Sequence, residues 1–192
     1  MTAQTTTRTN VLSTSDEALA AEAPGRPEAF AELYERHYER VYRYHVLRTG
    51  SRQDAQDLTT QTFLAALEGV RTFRRSGSFR AWLLGIARNQ AAMFYRQAYR
   101  KPAGALDEAA PDPSPPPEVL AGQRLDLERA GRAIGNLTPD QAAAINLCLF
   151  CDLSGAEAAQ VMGKNEAAVK MLLLRGLKDL RRQLAQAQEE TK

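Results

Sequence analysis

The sequence predicts an all-α protein made of two small helical domains, and three observations support that prediction. Its 192 residues include 32 Ala and 23 Leu but only 7 Val and 3 Ile, so the β-branched residues that sheets favour are scarce. Apolar residues recur every three to four positions in several segments, which is the spacing of amphipathic helices. Six of the nine prolines lie in residues 102–117, where no helix can continue, and this segment divides the chain.

The first half contains three predicted helices after an N-terminal extension. Residues 1–24 are rich in Thr, Ser and Ala, and we expect a disordered extension that holds at most one short helix, near residues 16–22. The breakers at 24–27 separate this extension from the first long helix. Apolar periodicity predicts helices from residue 28 to about 50, from 55 to 70 and from 79 to about 99.

The second half follows a Pro-rich flexible linker at residues 102–118. Two capping boxes are predicted, at Thr138/Gln141 and at Ser154/Glu157. Asn165 is placed to cap a last helix that carries leucines on one face. Two helices joined by a tight turn containing glycine, here at residues 163–165, are typical of a helix-turn-helix motif, although any small helical bundle can show this spacing.

Residues 71–101 form a basic segment. It carries eight Arg and Lys residues and no Asp or Glu, although the net charge of the whole chain is only +2. Six of the thirteen aromatic residues are interleaved with these charges. Because arginine binds phosphates and aromatic rings stack on bases, the segment is predicted to contact unpaired nucleic acid strands. The alternative is a helix with solvated arginines and core aromatics, and Trp82, Leu83 and Ile86 in particular are expected in the core.

Other functional classes find little support in the sequence. The apolar stretches are shorter than the ~20 residues that span a bilayer, and the Thr-rich start lacks a signal-peptide core, so we expect a soluble cytoplasmic protein without membrane insertion. Two Cys and two His are too few for a disulfide framework and poorly spaced for zinc. Cys148, Cys151 and His37 lie in apolar stripes and are predicted to pack. Since no catalytic or nucleotide-binding motif appears, we predict neither an enzyme nor a cofactor or metal site.

Three segments carry a family resemblance when they are taken in order. They are FAELYERHYERVYRYHVLRTGSRQDAQDLTTQTFLAAL, then FRRSGSFRAWLLGIARN and, after the Pro-rich gap, LTPDQAAAINLCLFCDLSGAEAAQVMGKNEAAVKMLLLRGLKDLRRQL. In this order they resemble the small bacterial sigma factors of the extracytoplasmic-function group of the sigma-70 family. The resemblance implies a sigma region 2 domain at residues 25–101 and a sigma region 4 domain with the helix-turn-helix at 119–187. It also implies a transcription initiation factor that directs core RNA polymerase to specific promoters and melts the −10 element.

The resemblance implies polymerase contacts with the β′ clamp and the β subunit. In the family, the second helix docks on the clamp helices of β′, and the residues assigned to that contact here are Asp54, Asp57, Leu58, Gln61 and Phe63. Gln56 and Gln61 stand where the family usually has glutamate, which removes two charge pairs. We therefore expect a contact that is either weaker or shifted toward packing by Leu58 and Phe63.

The resemblance also assigns promoter contacts. The strand of the melted −10 element is expected at Arg71, Phe73, Arg74, Arg75, Ser76, Arg80, Arg88, Asn89 and Arg96. The last helix is expected to read the −35 duplex in the major groove through Lys164, Glu166, Lys170, Met171, Leu174, Arg175 and Lys178. Met171 and Leu174 replace the family's usual polar residues, so we expect them to face outward, toward thymine methyl groups or an apolar partner such as an anti-sigma factor.

Two other functions stay open on the sequence alone. A stand-alone helix-turn-helix regulator would bind duplex DNA without polymerase. A helical adaptor would bind an acidic partner through the basic segment, and it would discriminate little between single-stranded and duplex DNA.

Overall fold

The structure is a computed structural model that describes residues 14–74, 77–98, 130 and 133–189, and no strand occurs in these ranges. In chain order the helices are α1 (Asp16–Glu22), α2 (Pro27–Thr49), α3 (Arg52–Gly69), α4 (Phe79–Ala98), α5 (Pro139–Ile145), α6 (Gly155–Met162) and α7 (Glu166–Glu189). A 3-10 turn at Val70–Thr72 follows α3, and a π-helical turn at Asn146–Phe150 follows α5. The all-α prediction is confirmed. None of the helices in the described part of the chain is long and apolar enough to cross a membrane.

Helix α1 belongs to the folded body of the first half. Ser15 caps it, and its inner face places Leu19, Ala20 and Ala23 in the core. The short helix predicted at residues 16–22 is confirmed. The breakers at 24–27 turn the chain but do not detach α1, because burying this apolar face stabilises the packed arrangement. Residues 1–13 lie outside the part of the chain that the structure describes.

Asp16 fixes α1 to α2. His37 Nε2 lies 2.7 Å from Asp16 Oδ2, and Arg36 Nη1 donates to Asp16 Oδ1 at 2.9 Å. The hydrogen bond from His37 lowers the pKa of Asp16 to about 2 against the opposing effect of burial, and Arg36 adds to that lowering. His37 is buried beside Phe79, so the prediction that it is a packed residue is confirmed.

Helices α2, α3 and α4 form the rest of the first half. Gly50 ends α2 with a φ of 67°, a left-handed conformation that favours glycine, and Ser51 caps α3 by accepting from Asp54 N–H at 3.3 Å. The largest buried side chains here include Leu33, Val41, Tyr44, Leu83 and Leu84. Leu83 is in the core as predicted, whereas Trp82 and Ile86 are only partly buried.

The second half is organised by its caps. Both predicted capping boxes are present, at Thr138/Gln141 of α5 and Ser154/Glu157 of α6. Gly163 turns the chain with a φ of 65°, and Asn165 Oδ1 accepts from Ala168 N–H at 2.7 Å at the start of α7. Helix α6, this turn and α7 have the arrangement of the predicted helix-turn-helix.

Helix α7 crosses α5 at a glycine. A Cβ atom at Gly176 would lie 2.8 Å from Ile145 Cδ1 and 3.3 Å from Gln141 Cβ, so the crossing leaves no room for a side chain. Gln141 Nε2 also donates to Asp179 Oδ2 at 3.0 Å. These contacts hold the inner face of α7 against α5.

The two halves pack against each other and share a buried core. Asn146 of the π-helical turn is fully buried, and its Nδ2 donates to Tyr44 O of α2 at 3.0 Å. Arg43 Nη1 donates to Phe150 O at 3.1 Å. A second contact joins α4 to α6. The predicted linker at residues 102–118 lies outside the described ranges.

Candidate nucleic-acid interface

The basic segment lies on α4 and on the chain that precedes it. Its exposed members are Arg71, Arg74, Arg88, Asn89 and Arg96. Arg80 is half-buried, and Arg75 and Ser76 lie outside the described ranges. The exposed arginines and Asn89 are therefore available to a ligand, while their contact with promoter DNA stays a prediction.

An open cavity lies at the start of α4. The rings of Phe73, Phe79 and Trp82 have centroids 5.5 Å apart. Phe79 is buried, so for this ring the core alternative holds. Phe73 and Trp82 are half-buried and line a cavity of about 350 Å³, whose other lining residues are Thr72, Arg74, Gly77, Ser78 and Gln160. Ring faces next to an arginine suit an unstacked base and its phosphate.

Two side chains cap the first turn of α4. Ser78 Oγ accepts from Ala81 N–H at 3.2 Å, and Glu17 Oε1 of α1 accepts from Phe79 N–H at 3.2 Å. Both satisfy backbone donors that the start of a helix leaves without an intrahelical partner. Helix α1 therefore helps to position the wall of the cavity.

A carboxylate of the second half also reaches this surface. Arg80 Nη2 donates to Glu157 Oε1 at 3.0 Å and to Oε2 at 3.2 Å, and Ser78 Oγ donates to Oε1 at 2.6 Å. Ser154 adds its N–H at 2.9 Å and its hydroxyl at 2.8 Å, both to Oε2. Burial acts to raise the pKa of Glu157, but the hydrogen bonds from Ser78, Ser154 and Arg80 outweigh it and lower the pKa to about 2. Glu157 is therefore an anion at neutral pH.

The outer face of α7 carries the residues assigned to the −35 element. Glu166, Lys170, Arg175 and Lys178 are exposed, as is Lys164 in the preceding turn, whose Nζ lies 3.0 Å from Asp140 Oδ2. Met171 and Leu174 are 48% and 53% exposed, which confirms that they face outward. Leu172 and Leu173 instead pack against the core.

The surface of α3 differs from the one expected for a polymerase contact. Asp57 and Gln61 are exposed and Asp54 is half-buried. Leu58 and Phe63, however, are 1% and 5% exposed, so the expectation that they offer packing surface to a partner is corrected. They point inward because they lie on the face that meets α2 and α4. The exposed apolar residues of α3 are Leu64 and Leu67.

Sequence patterns did not indicate Glu157, Gln160 or Glu17 as residues of this interface. The spacing of Glu157 from Ser154 accounts for it fully as a capping residue, so no local feature points to its second contact. Glu17 and Gln160 reach the site only through the packing of α1 and α6 on the first half. Leu64 and Leu67 could have been found by assigning the opposite face of α3 to the surface.

The two cysteines have an ordinary packing role in this structure. Cys151 is buried, and burial raises the pKa of its thiol to about 12. Its Sγ lies 3.5 Å from Asn146 Oδ1 and 3.8 Å from Arg40 O, to which it donates weakly. Cys148 is half-buried. The thiol of Cys151 thus fills the contact between the halves, as predicted for a packed cysteine.

Comparison with known proteins identifies the family to which the chain belongs. Residues 33–101 match the family Sigma-70 region 2, and residues 127–180 match Sigma-70, region 4. The ECF RNA polymerase sigma factor SigL of Mycobacterium tuberculosis is 30% identical over 152 residues, which cover 78% of this chain and 85% of SigL. The chain belongs to the ECF group of the sigma-70 family. Its region 2 contains α3, α4 and most of α2, and its region 4 contains α5, α6 and most of α7, while α1 lies outside both matches.

Two further similarities describe this ECF chain. The ECF RNA polymerase sigma factor BldN of Streptomyces coelicolor is 38% identical over 165 residues, which cover 83% of this chain and 62% of BldN. The chain thus spans about three-fifths of the length of that relative. The solved structure of CnrH in complex with the cytosolic domain of CnrY is 27% identical with a TM-score of 0.66, and it covers 88% of this chain and 97% of CnrH.

Proposed function

We propose that this ECF chain directs core RNA polymerase to specific promoters and holds the melted −10 strand. The observation that carries the proposal is the cavity at the start of α4, which the aromatic residues Phe73 and Trp82 line together with Arg74. Unpaired bases expose a ring face and paired bases do not, so such a site favours the melted state by differential binding. This work needs no chemical step, and the protein is a binding factor rather than an enzyme. The region 2 unit would comprise residues 25–101 together with α1, and the region 4 unit residues 119–187.

Region 4 would supply the second promoter contact. The outer face of α7 presents Lys170 near its start, where a recognition helix contacts base edges. Met171 and Leu174, on the same face, would pack against thymine methyl groups. Their exposure and the neighbouring cations support this assignment.

Core polymerase would dock on α3. The exposed face combines Asp57 and Gln61 with Leu64 and Leu67. An acidic residue beside apolar ones suits a basic, partly apolar helical surface such as the β′ clamp, and the β subunit would then lie against region 4. The cytosolic domain that accompanies CnrH in its solved structure supports a protein partner for this chain too, and an anti-sigma factor is the partner that we propose.

The test is run-off transcription with purified core RNA polymerase on a genomic fragment library, with and without this protein. Transcripts that depend on the protein and share upstream sequence at two positions are expected. If the protein neither associates with core polymerase nor yields transcripts, but still binds duplex DNA, a stand-alone regulator is the better account of its function.

A further inference from the structure

The contact between α4 and α6 places an acidic side chain of region 4 on the basic surface of region 2. The Glu157 and Arg80 side chains are 17% and 33% exposed. The pair is therefore partly shielded from water, which makes it stronger than an ion pair on an open surface. This contact joins the two regions at the edge of the candidate −10 site.

The Glu157 carboxylate occupies a position that suits a DNA phosphate. Its donors in region 2, the Ser78 hydroxyl and the Arg80 guanidinium, are of the kind that binds phosphodiesters. Ser78 also lines the cavity with Phe73 and Trp82. If a base of a single strand enters this cavity, the backbone of that strand passes close to Ser78 and Arg80. An anion held by these two residues would therefore lie at the position of a backbone phosphate.

Helix α6 also contributes to the cavity itself. Gln160 stands one helical turn from Glu157 and lines the cavity from the side of region 4. A Cβ atom added at Gly77 would come within 3.9 Å of Gln160 Nε2. Region 4 thus covers the hydrogen-bond donors of Ser78 and Arg80 and also forms part of the cavity wall.

The bonding of Arg80 is incomplete in this contact. Both of its hydrogen bonds to Glu157 use Nη2, while Nε is buried and has no acceptor. Arginine binds carboxylates and phosphates best through two nitrogens at once. A phosphodiester that engages Nη2 and Nε would satisfy more donors than Glu157 does, so the carboxylate can be displaced.

We propose that Glu157 is an intramolecular competitor of the −10 strand, and that its carboxylate must leave the Ser78–Arg80 site before a DNA phosphate can enter. The inference rests on the proposed function, since it concerns regulation of the same site. By linkage, strand binding weakens the packing of α6 on α4, and that packing weakens strand binding to the same extent. A partner that draws α6 away from α4 therefore raises the affinity of region 2 for the strand.

The test variant is Glu157→Gln. It removes the charge but keeps the cap of α6, because glutamine at this position also reaches back to the N-cap N–H, as Gln141 does in α5. The matched control is Glu32→Gln. It removes the same charge from a carboxylate of similar exposure, 23%, that binds an arginine, Arg36, at 2.9 Å, but Glu32 lies on α2 and does not line the cavity.

The measurement is fluorescence anisotropy of a labelled random-sequence single strand with the full-length proteins. We expect Glu157→Gln to bind at least about fivefold more tightly than the unaltered chain, the lower end of the usual range for coupled sites. Glu32→Gln should change the affinity less than about twofold, as expected for the loss of a charge that does not compete. Equal affinity of Glu157→Gln and the unaltered chain overturns the inference. Equal gains in both variants also overturn it, because they indicate a general charge effect.

Run-off transcription separates this inference from the proposed function. If the unaltered chain directs transcription and Glu157→Gln binds the strand no better, competition by Glu157 is excluded and the proposed function stands. If Glu157→Gln binds the strand more tightly but active core polymerase yields no transcript, competition by Glu157 is supported and the proposed function is wrong.

Discussion

His45 shows how burial sets the chemistry of a single residue. Its Nε2 lies 2.9 Å from Thr62 Oγ1, whose own proton is donated to Leu58 O at 2.7 Å. Thr62 therefore accepts from Nε2–H, which fixes the neutral tautomer and leaves the buried Nδ1 without a partner. Burial, assisted by the charge of Arg48, lowers the pKa of His45 from 6.5 to about 3.

This residue gives a pH-dependence of stability with a definite sign. Between about pH 6.5 and pH 3 the unfolded chain binds a proton at His45 that the folded chain does not. The free energy of unfolding therefore falls as the pH drops through this window, by up to about 1.4 kcal/mol per pH unit, and the effect is absent above it. His45→Phe should remove this part of the slope, as measured by urea denaturation at pH 7.5, 6 and 5. Identical slopes for the two proteins would show that His45 binds a proton as readily in the folded chain as in the unfolded chain.

Single residues also mark where sequence reasoning succeeds. The caps at Thr138, Ser154 and Asn165 were predictable because a cap depends on residues within one turn. The inward position of Leu58 follows from the apolar periodicity of α3, whereas the family resemblance assigned this residue to a polymerase contact. The ion pair of Glu157 joins residues 77 positions apart, and no local rule reports such a contact.

At the scale of a helix, α3 offers two exposed leucines beside Asp57 and Gln61. Because Leu64 and Leu67 are 56% and 48% exposed, replacing both with serine should change the free energy of unfolding by less than about 1 kcal/mol. Recovery of core polymerase in a pull-down should nevertheless fall several-fold, because the apolar part of the docking face is lost. Leu149→Ser is the matched control, since Leu149 is 48% exposed outside α3. Undiminished recovery with the double variant would exclude this face.

Helix α7 supports a separate prediction about duplex DNA. Lys170 is exposed near the start of the helix. If it binds a phosphate, Lys170→Ala should weaken −35 duplex binding uniformly and reduce the salt slope by about one; if it reads a base, the loss is about 1–3 kcal/mol and relaxes specificity at one position. Titrations at several salt concentrations, with a scrambled −35 duplex as control, distinguish these results. Unchanged affinity for both duplexes would remove Lys170 from the interface.

Helix bounds in this chain follow local chemistry closely, and helix roles do not. The short α1 was foreseen, but its place in the core was not, because the Pro and Gly residues at 24–27 indicate a break without saying whether the chain returns. The π-helical turn after α5 was also unforeseen. In this turn Cys151 N–H donates to Asn146 O, five residues earlier, and Asn146 reaches Tyr44 O of α2. The residue types of the turn do not by themselves require this wider helical turn.

For the whole molecule, the shared core couples the two regions. Asn146 is the buried polar link between them, and its Nδ2 binds the Tyr44 carbonyl. Asn146→Ala should therefore weaken the docking of region 4 by about 1–3 kcal/mol, because a buried hydrogen bond is lost. The single tryptophan, Trp82, lies in region 2, so its fluorescence follows that half and its contact with α6, whereas circular dichroism follows the helices of both halves.

The measurement compares thermal unfolding followed by tryptophan fluorescence and by circular dichroism. In the unaltered chain the two curves should coincide, because the halves unfold together. In Asn146→Ala the circular dichroism curve should begin at a lower temperature than the fluorescence curve. Coincident curves in the variant would mean that the docking does not depend on this bond.

The composition of the chain predicted two helical units, and the described residues contain both, while the predicted separator lies outside those residues. The composition did not predict that the units touch. The apolar stripe within each half is visible in the sequence, whereas the contacts between the halves, such as Asn146 with Tyr44 and Glu157 with Arg80, join residues that are far apart in the chain.

Gly176 affects where α7 lies relative to α5. A glycine inside a helix costs roughly 1 kcal/mol relative to alanine, yet here it lets α7 rest directly on Ile145. This contact lies ten residues after the first residue of α7 and thirteen before its last. A Cβ atom at 176 would crowd Ile145 Cδ1 and Gln141 Cβ, so a bulkier residue would require Ile145 to change its rotamer or α7 to move away from α5. The close approach of α7 to α5, and with it the direction of the first turn that we propose contacts DNA, therefore depends partly on the absence of one methyl group.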